Sequence, residues 1–302
     1  MGSNVIINII LPASLGVIMF GMGTSLVVDD FKRILAYPKA VLIGTFGQIL
    51  LLPILGLLFC LMFDMSPETA VGIMILTACA GGAISNLIVY LARGDVALSV
   101  TLTGISCVVT VFTIPFIVNY SLHHFLGATS ASLLPIGETN IRLFLITLLP
   151  VCLGMALRHA YSGIGARLEK PMNRLATLLF IGVFIGVIMK EKDRLASLFF
   201  DVGPIVICLN LVAMALGIML AKAFKLNQEQ SISIGVEIGL QNSVTGIFIA
   251  ATLLGSMALA AVPAVYSIVM LFNAGLFILL TRIRARNTDP NLHAPASVVP
   301  PS

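Results

Sequence analysis

Charged residues are scarce in this chain. Asp, Glu, Lys and Arg make up 10% of the 302 residues, whereas 59% are hydrophobic. A soluble globular domain carries about 25% charged and roughly 45–50% apolar residues. A chain with so few charges cannot cover its surface with groups that water solvates, which excludes most cytosolic enzymes, nucleic-acid-binding proteins and disordered scaffolds. The composition indicates a polytopic membrane protein whose partner is the lipid bilayer and not nucleic acid.

Motifs that bind zinc or activate a nucleophile are also missing from the sequence. The five cysteines lie in apolar stretches and form no CxxC pair, so we expect neither a disulfide framework nor a zinc site. The chain contains no GxSxG or HExxH motif. An intramembrane hydrolase would need an activated nucleophile, and His123 and His124, the nearest histidine pair, fall in a predicted loop. We therefore expect that the protein is not an enzyme.

Nine segments are long and apolar enough to cross a bilayer, which takes about 20 mostly apolar residues. The predicted spans are residues 4–28, 38–62, 67–92, 96–120, 140–160, 172–189, 201–222, 229–256 and 261–281. Short polar connections join them. The tail from Asn287 to Ser302 is polar and rich in proline, so we expect it to be disordered. The sequence thus predicts an all-α polytopic membrane protein with nine transmembrane helices.

Lys and Arg residues are divided unevenly between the two faces of this layout. The loops after the odd-numbered spans and the C-terminal segment carry most of the 17, whereas the opposite face carries Arg142, Lys190, Lys192 and Arg194. Cytoplasmic loops of membrane proteins carry the excess of Lys and Arg. We therefore predict a multi-pass protein of the cell inner or plasma membrane, with its N-terminus outside and its C-terminus in the cytoplasm.

Glu237 lies in the middle of the eighth span, whereas the other acidic residues fall in loops, at span ends or in the tail. A carboxylate at that depth costs several kcal/mol unless it is neutralised or solvated. It could be protonated and hydrogen-bonded between helices, line a water-filled cavity or bind a cation. A functional role is the favoured interpretation, because ionisable groups inside a membrane are costly to keep.

The residues after Glu237 favour a cation. Gly239, Gln241, Asn242 and Ser243 make the middle of the span polar and weakly helical, and an unwound turn there would free main-chain carbonyls. Carbonyl, carboxylate and amide oxygens are the ligands that hard cations such as Na⁺ prefer.

The third span has a matching interruption, in which Gly81 and Gly82 are followed by Ser85 and Asn86. The helix that resumes there would present free N–H groups, which attract anions. The two interruptions are five spans apart, so the two helices have opposite orientations in the membrane. Such a pair points to a secondary transporter built from an inverted repeat, with the binding site where the broken helices cross.

Isolated polar residues in other spans are further candidates. In the fourth span, one helical face carries four hydroxyl residues: Ser99, Thr103, Ser106 and Thr110. The first two lie nearer the level of the breaks, and we interpret the last two as packing residues. Gln48 in the second span and Asn273 in the ninth are isolated amides. Taken alone, Gln48 suits helix–helix hydrogen bonding and ion contact equally.

Together these residues resemble the bile acid/sodium symporter family over about residues 12–283. The stretches that carry the resemblance are Gly81–Asn86, Tyr90–Ser99, Glu237–Ser243 and Ile18–Gly23. The resemblance implies a panel domain beside a core domain that holds two crossed, discontinuous helices. In this chain the panel domain would comprise residues 1–28 and 140–190, which hold the first, fifth and sixth spans. The core domain would comprise residues 38–120 and 201–283, and the disordered tail would be residues 287–302.

The resemblance also implies two Na⁺ sites and a site for an organic anion, which the protein would import by alternating access. The first Na⁺ site would use Ser85, Asn86, Ser99, Thr103 and Glu237. The second would use Gln48, Glu237, Gln241 and the main-chain carbonyls of Ile238 and Leu240. The substrate would contact Ala83, Ser85, Asn86, Asn242 and Asn273.

Two departures from the family pattern concern the substrate. Some relatives have Pro and Thr around the Gly-Gly pair, where this chain has Ala80 and Ala83, and some have His where Phe272 precedes Asn273. The substrate could be a bile acid, a smaller acid such as pantoate or another organic anion.

Three other functions stay open from the sequence. An arsenite or other anion exporter of related fold would make Cys79, at the break in the third span, essential. Proton coupling through Glu237 would give uptake that a pH gradient drives without Na⁺. A sensor or receptor would bind a ligand without transporting it, although the chain offers no soluble domain through which to signal.

Overall fold

The computed structural model describes residues 6–27, 37–82, 84–129, 133–190 and 192–288. The regular elements within these ranges are helices. Ala80 and Gln241 form an isolated β-bridge. The helices are α1 (Leu11–Ser25), α2 (Pro38–Phe46), α3 (Leu52–Met62), α4 (Pro67–Ala78), α5 (Ser85–Leu91), α6 (Val96–Leu126), α7 (Ile136–Leu143), α8 (Leu149–Ala160), α9 (Ser162–Lys190), α10 (Lys192–Ala223), α11 (Gln228–Gly239), α12 (Ser243–Phe248) and α13 (Met257–Thr288).

Wider π-helical turns extend or join several of these helices: Ile6–Ile10 before α1, Gly47–Leu51 between α2 and α3, Phe144–Leu148 between α7 and α8, and Ile249–Leu253 after α12. Three of them end two residues before a proline, at Pro12, Pro53 and Pro150. Proline has no N–H with which to continue the α-helical ladder, so the preceding turn can widen without losing a further bond. One such turn contains Gln48.

Long apolar helices dominate the described chain. Six helical stretches are long and apolar enough to cross a membrane: Ile7–Ser25, Pro38–Met62, Val96–Leu126, Ile136–Ala160, Phe199–Ala223 and Met257–Ile283. Two shorter apolar helices, Pro67–Ala78 and Ser243–Leu253, belong to the predicted third and eighth spans. The structure is therefore that of a polytopic membrane protein, as the composition indicates.

The predicted third and eighth spans are both interrupted. Helix α4 ends at Ala78 and the chain becomes helical again at Ser85, while α11 ends at Gly239 and α12 begins at Ser243. The interruptions lie against each other, because Ala80 and Gln241 form an antiparallel bridge and Asn242 N donates to Cys79 O at 2.8 Å.

Glycine permits this close approach. Gly81 has a φ of +83°, a left-handed conformation that residues with a Cβ rarely adopt. A Cβ at Gly82 would lie 3.1 Å from the main-chain oxygen of Gln241. The Gly-Gly pair is therefore required by the contact between the two interruptions.

Some helix boundaries differ from the sequence prediction. Helix α6 ends at Leu126 rather than at residue 120, and the residue that follows it, Gly127, caps it with a φ of +60°. The sequence prediction placed His123 and His124 in a loop, but both lie in the last turn of this helix. Asn287 and Thr288, expected in the tail, are the last residues of α13. The rest of the predicted tail, residues 289–302, lies outside the described residues.

Two sets of packing contacts position the interruptions. Helix α1 packs against α8 and α9, and helix α10 packs against α11 and α13. Helix α4 packs against α6 and α13. Every residue from Gln230 to Phe248 is buried, which includes most of α11, the second interruption and all of α12. The second interruption therefore lies deep inside the helical assembly.

Candidate functional site

Glu237 lies near the end of α11 and is fully buried. Four uncharged side chains from other elements point at its carboxylate. Ser85 Oγ and Ser99 Oγ each lie 2.5 Å from Glu237 Oε1. Thr103 Oγ1 lies 3.1 Å from Oε1 and 3.0 Å from Oε2, and Gln48 Nε2 lies 2.9 Å from Oε2. The carboxylate thus joins α5, α6 and the π turn at Gln48 to α11.

The three hydroxyl groups face more oxygen acceptors than their protons can serve. Ser99 Oγ also lies 2.8 Å from Asn86 Oδ1, and Ser85 Oγ also lies 2.7 Å from the main-chain oxygen of Gly82. Thr103 lies within reach of both carboxylate oxygens. A hydroxyl has one proton to donate, so each of them serves one of the acceptors within its reach, while Ser85 N also donates to Gly82 O at 3.0 Å and Gln48 to Glu237 Oε2. The result is a compact set of oxygens with a surplus of lone pairs.

Such an arrangement suits a bound cation better than it suits compensation of the carboxylate by hydrogen bonds alone. A buried carboxylate is costly unless a charge or enough donors compensate it, and none of the four side chains that contact Glu237 is charged. Hydroxyl, amide and carboxylate oxygens are the ligands that hard cations prefer. Of the residues predicted for the first ion site, Ser85, Ser99, Thr103 and Glu237 meet directly, and Asn86 joins them through Ser99.

The residues predicted for the second ion site surround the end of α11. Gln48 Nε2 donates to the main-chain oxygen of Glu237 at 3.0 Å, and Gln241 Nε2 donates to Ile238 O at 2.7 Å. Leu240 is the extended residue that follows α11. Both amides therefore present N–H groups to the oxygens of this segment. Gln241 Oε1 is buried and has no hydrogen-bond partner among the described residues.

A residue that the sequence interpretation assigned to packing completes this arrangement. Ser106 Oγ donates to Gln48 Oε1 at 2.6 Å and so orients the amide whose nitrogen faces Glu237. Thr110 Oγ1 bonds to Ser106 O of its own helix at 2.7 Å. Both hydroxyls lie on the helical face that the spacing predicts, but Ser106 reaches the Glu237 neighbourhood.

A cavity of about 470 Å³ lies beside the two interruptions. Its lining comes from the two interrupted segments and from α1, α6, α9 and α13. Of the residues predicted to contact a substrate, Ser85, Asn86 and Asn242 line it. Ala83 lies outside the described residues. Asn273 is not among the lining residues, and instead its Nδ2 donates to Asn210 Oδ1 at 2.9 Å.

Two donors in the cavity wall are held by weak acceptors. Asn242 Nδ2 lies 3.9 Å from the sulfur of Met19, and Ser243 Oγ lies 3.9 Å from the sulfur of Met270. All four residues line the cavity. A thioether is a weak hydrogen-bond acceptor on a flexible side chain, so a ligand with a stronger acceptor can displace it.

Sequence reasoning missed two further polar residues beside the second interruption. Tyr266 Oη donates to the main-chain oxygen of Gly239 at 2.6 Å, and Asn210 Nδ2 donates to the same oxygen at 2.8 Å. Both are fully buried. The signal was available, because Asn210 is an isolated amide in an apolar stretch, the criterion that singled out Gln48.

Comparison with known proteins gives one family. The family model described as "Sodium Bile acid symporter family" matches residues 12–198. An uncharacterized sodium-dependent transporter of Bacillus subtilis is 28% identical over 255 residues, which are 84% of this chain and 77% of that protein. Sodium/bile acid cotransporter 4 of Homo sapiens is 28% identical over 284 residues, 92% of this chain.

A probable sodium/metabolite cotransporter of the chloroplast in Oryza sativa is 29% identical over 250 residues, 82% of this chain. The chain spans 64% of the length of the human protein and 60% of the rice protein. Each of these relatives carries sodium in its name.

Proposed function

The chain belongs to the sodium bile acid symporter family, and on that premise we propose that it imports an organic anion by coupling its entry to Na⁺. Family membership confirms the resemblance seen in the motifs. It also makes the protein a member of a family of transporters rather than of enzymes. The substrate, the ions and the transport cycle described below are proposals for this chain.

The first Na⁺ binds among Ser85, Asn86, Ser99, Thr103 and Glu237. The observation that carries this proposal is the buried Glu237 carboxylate, whose four contacting side chains are uncharged and bring oxygens with unused lone pairs to one place. A cation at this position supplies the positive charge that the carboxylate needs. The hydroxyl and amide oxygens can also coordinate it through lone pairs that accept no hydrogen bond.

A second Na⁺ binds at the end of α11, between Gln48, Glu237, Gln241 and the carbonyls of Ile238 and Leu240. In the structure both amides direct nitrogen toward this segment. They must turn to present oxygen when the ion enters. The buried Gln241 Oε1, which has no partner in the part of the chain that the structure describes, becomes a ligand of the ion by that rotation.

The substrate is an organic anion such as a bile acid or a similar carboxylate or sulfonate. Its apolar part would occupy the cavity of about 470 Å³, a volume within the usual range for small-molecule sites. Its anionic group would accept from Asn242 Nδ2 and Ser243 Oγ, displacing the sulfurs of Met19 and Met270. Ser85 and Asn86 line the same wall. Ala83 remains a proposed substrate contact, whereas Asn273 would contact the substrate only in another state of the transport cycle, because here it bonds to Asn210 outside the cavity lining.

The chain has nine transmembrane helices, of which the broken third and eighth belong to opposite halves of an inverted repeat. Residues 1–28 and 140–190 form the panel domain, and residues 38–120 and 201–283 form the core domain. Two features support this division. Residues of α1 and α9 line the cavity together with the interrupted segments, and α1 packs against α8 and α9.

The N-terminus lies outside the cell and the C-terminus in the cytoplasm. Two residues of the cavity wall stand at helix ends that adjoin Lys- or Arg-bearing loops in the sequence: Ser25, the last residue of α1, and Val96, the first residue of α6. By the charge rule that face is cytoplasmic. The cavity therefore corresponds to an inward-facing state, and alternating access would close it and open the opposite side.

Charge compensation provides the coupling. Without Na⁺, the Glu237 carboxylate and a bound anion repel each other in a medium of low dielectric constant. Na⁺ removes this repulsion and holds α5, α6 and α11 together through shared ligands. Occupied ion sites thus raise the affinity for the anion, and the anion raises the affinity for Na⁺ by the same factor. With two Na⁺ per monoanion, transport is electrogenic.

The test is uptake of radiolabelled taurocholate and of pantoate into proteoliposomes under an imposed Na⁺ gradient. We expect uptake of at least one anion with the Na⁺ gradient and none when K⁺ replaces Na⁺. Glu237→Gln should abolish it. Glu229→Gln, the same change at an exposed position on the same helix, should retain it.

Each alternative predicts another outcome. Uptake driven by a pH gradient without Na⁺ would identify proton coupling, and arsenite resistance that depends on Cys79 would identify an exporter. Uptake that Glu237→Gln leaves unchanged would overturn the proposed ion site.

A further inference from the structure

Three buried polar side chains form a hydrogen-bonded chain behind the second interruption. Asn273 Nδ2 donates to Asn210 Oδ1 at 2.9 Å, and Asn210 Nδ2 donates to Tyr266 Oη at 2.9 Å. Asn210 and Tyr266 are fully buried, and Asn273 is 5% exposed. Polar groups in this apolar environment are costly unless they are hydrogen-bonded. We call these three residues the Asn–Tyr–Asn network.

The network ends on one main-chain oxygen. Gly239 O accepts from Asn210 Nδ2 at 2.8 Å and from Tyr266 Oη at 2.6 Å. Gly239 is the last residue of α11, where carbonyls lose their partners within the helix. The neighbouring carbonyls have other partners: Gln48 donates to Glu237 O, and Gln241, in the interruption itself, donates to Ile238 O. The network therefore supplies the partners of one carbonyl between two proposed Na⁺ ligands.

The backbone geometry connects this carbonyl to the ion site. Leu240 is extended, with φ −99° and ψ 113°. Consecutive carbonyls of an extended segment point to opposite sides. Holding Gly239 O toward Asn210 and Tyr266 therefore directs Leu240 O to the other side of the chain. Gly239 cannot shift toward α10, because Met214 occupies the space where a Cβ would stand.

We propose that Asn210, Tyr266 and Asn273 are positioning residues for the second Na⁺ site, which they serve by fixing the carbonyl of Gly239. The inference rests on the proposed function. Asn273 acts through Asn210, because its N–H keeps Asn210 Oδ1 turned away from Gly239 O. Without that donor the Asn210 amide can rotate and bring two acceptor oxygens together. Asn273 thus affects Na⁺ binding even when no substrate is present, which a residue that touches substrate alone would not do.

The test measures thermal stabilisation of the purified full chain by Na⁺ in detergent, without substrate, with K⁺ replacing Na⁺ at constant ionic strength. The variants are Tyr266→Phe, which keeps the ring and removes the hydroxyl, and Asn273→Leu. The control is Ser267→Ala, because Ser267 is a buried hydroxyl of the same helix that bonds to Pro263 O of that helix at 2.9 Å.

We expect the Na⁺ concentration for half-maximal stabilisation to rise roughly five-fold in Tyr266→Phe, the size of one hydrogen bond's net contribution. It should rise at least as much in Asn273→Leu and stay at the wild-type value in Ser267→Ala. A lower melting temperature without Na⁺, combined with an unchanged half-maximal Na⁺ concentration in Tyr266→Phe, would show a structural role and overturn the inference.

Two further outcomes are separated by the same data. If wild type shows no stabilisation by Na⁺, the proposed ion coupling itself fails and the inference falls with it. If Tyr266→Phe shifts the half-maximal concentration and Asn273→Leu folds but does not, the part assigned to Asn273 is wrong. Should Asn273→Leu fail to fold, Tyr266→Phe still decides the main claim.

Discussion

Gln48 and Glu237 are joined twice through one amide nitrogen. Gln48 Nε2 lies 2.9 Å from Glu237 Oε2 and 3.0 Å from the main-chain oxygen of the same residue. One side chain thus holds both the carboxylate and the end of α11, and Ser106 fixes the other end of the amide. Because Gln48 lies in a π-helical turn, the position of this contact depends on the local widening of the helix.

Removing this amide should weaken Na⁺ binding more than it weakens the fold. In Gln48→Leu both bonds to Glu237 are lost, along with a proposed ion ligand. The proposed contact of the Gln48 oxygen with the ion is the interaction that matters for Na⁺; polar contacts to charged groups contribute about 1.5–3 kcal/mol, so we expect the half-maximal Na⁺ concentration for thermal stabilisation to rise roughly ten-fold or more. Gln228→Leu, at an exposed position of α11, is the control and should bind Na⁺ as wild type does. Equal effects in the two variants would contradict a role for Gln48 in ion binding.

Two threonines of α6 provide a comparison within one helix. Thr103 lies 3.0 Å from Glu237 Oε2, whereas Thr110, two turns further, bonds to Ser106 O of its own helix. Replacement by valine removes the hydroxyl from either residue and keeps its shape. We expect Thr103→Val to raise the half-maximal Na⁺ concentration several-fold and Thr110→Val to leave it unchanged, as measured by Na⁺-dependent thermal shift. A larger rise of the half-maximal Na⁺ concentration in Thr110→Val than in Thr103→Val would contradict the assignment of Thr103 to the ion site.

The Gly-Gly pair should tolerate no side chain. In Gly81→Ala the φ of +83° becomes strained, at a cost of about 1–2 kcal/mol, and the new Cβ lies 3.1 Å from Ser106 Cβ. We expect a lower melting temperature and loss of Na⁺-driven uptake. Gly182→Ala is the control, because a Cβ there meets no atom of the described residues within 4 Å and alanine favours the helix. A variant Gly81→Ala that transports normally would show that the two interruptions can separate without loss of function.

The sequence predicts the interruptions because they depend on residue type alone. Glycine and polar residues in the middle of an apolar stretch weaken a helix wherever the chain later packs. Glu237 is equally evident, since a carboxylate in such a stretch needs compensation in any fold. The expected breaks near Gly81 and Gly239 therefore agree with the helix ends in the structure.

The partners of isolated polar residues depend instead on which helices pack together. Asn273 was expected to face a substrate, and the structure pairs it with Asn210 across 63 residues of sequence. Ser106 and Thr110 share one helical face, yet Gln48 approaches only the first of them. Helical periodicity gives the face on which a residue lies but not the neighbour it meets. The extension of α6 to Leu126 was missed because its last turns carry polar histidines, which the apolar criterion excludes.

Asn242 allows substrate recognition to be separated from ion binding. Its Oδ1 accepts from Thr245 N at 3.1 Å and so caps α12, while its Nδ2 faces the cavity beside Met19. In Asn242→Asp the cap remains, but the donor becomes a negatively charged acceptor. An anion in the cavity would then meet a like charge, which costs several kcal/mol. We expect anion uptake to fall more than ten-fold while stabilisation by Na⁺ persists.

Asn227→Asp is the matched control for this change. Asn227 caps α11 in the same manner, accepting from Gln230 N at 2.8 Å, but it is exposed at the end of the helix. The substitution preserves that cap as well, so uptake should stay at the wild-type rate. Wild-type uptake by Asn242→Asp would exclude its amide as the anion's donor. Loss of both uptake and Na⁺ stabilisation would instead assign Asn242 to the ion site, because the cap itself is unaffected by the change.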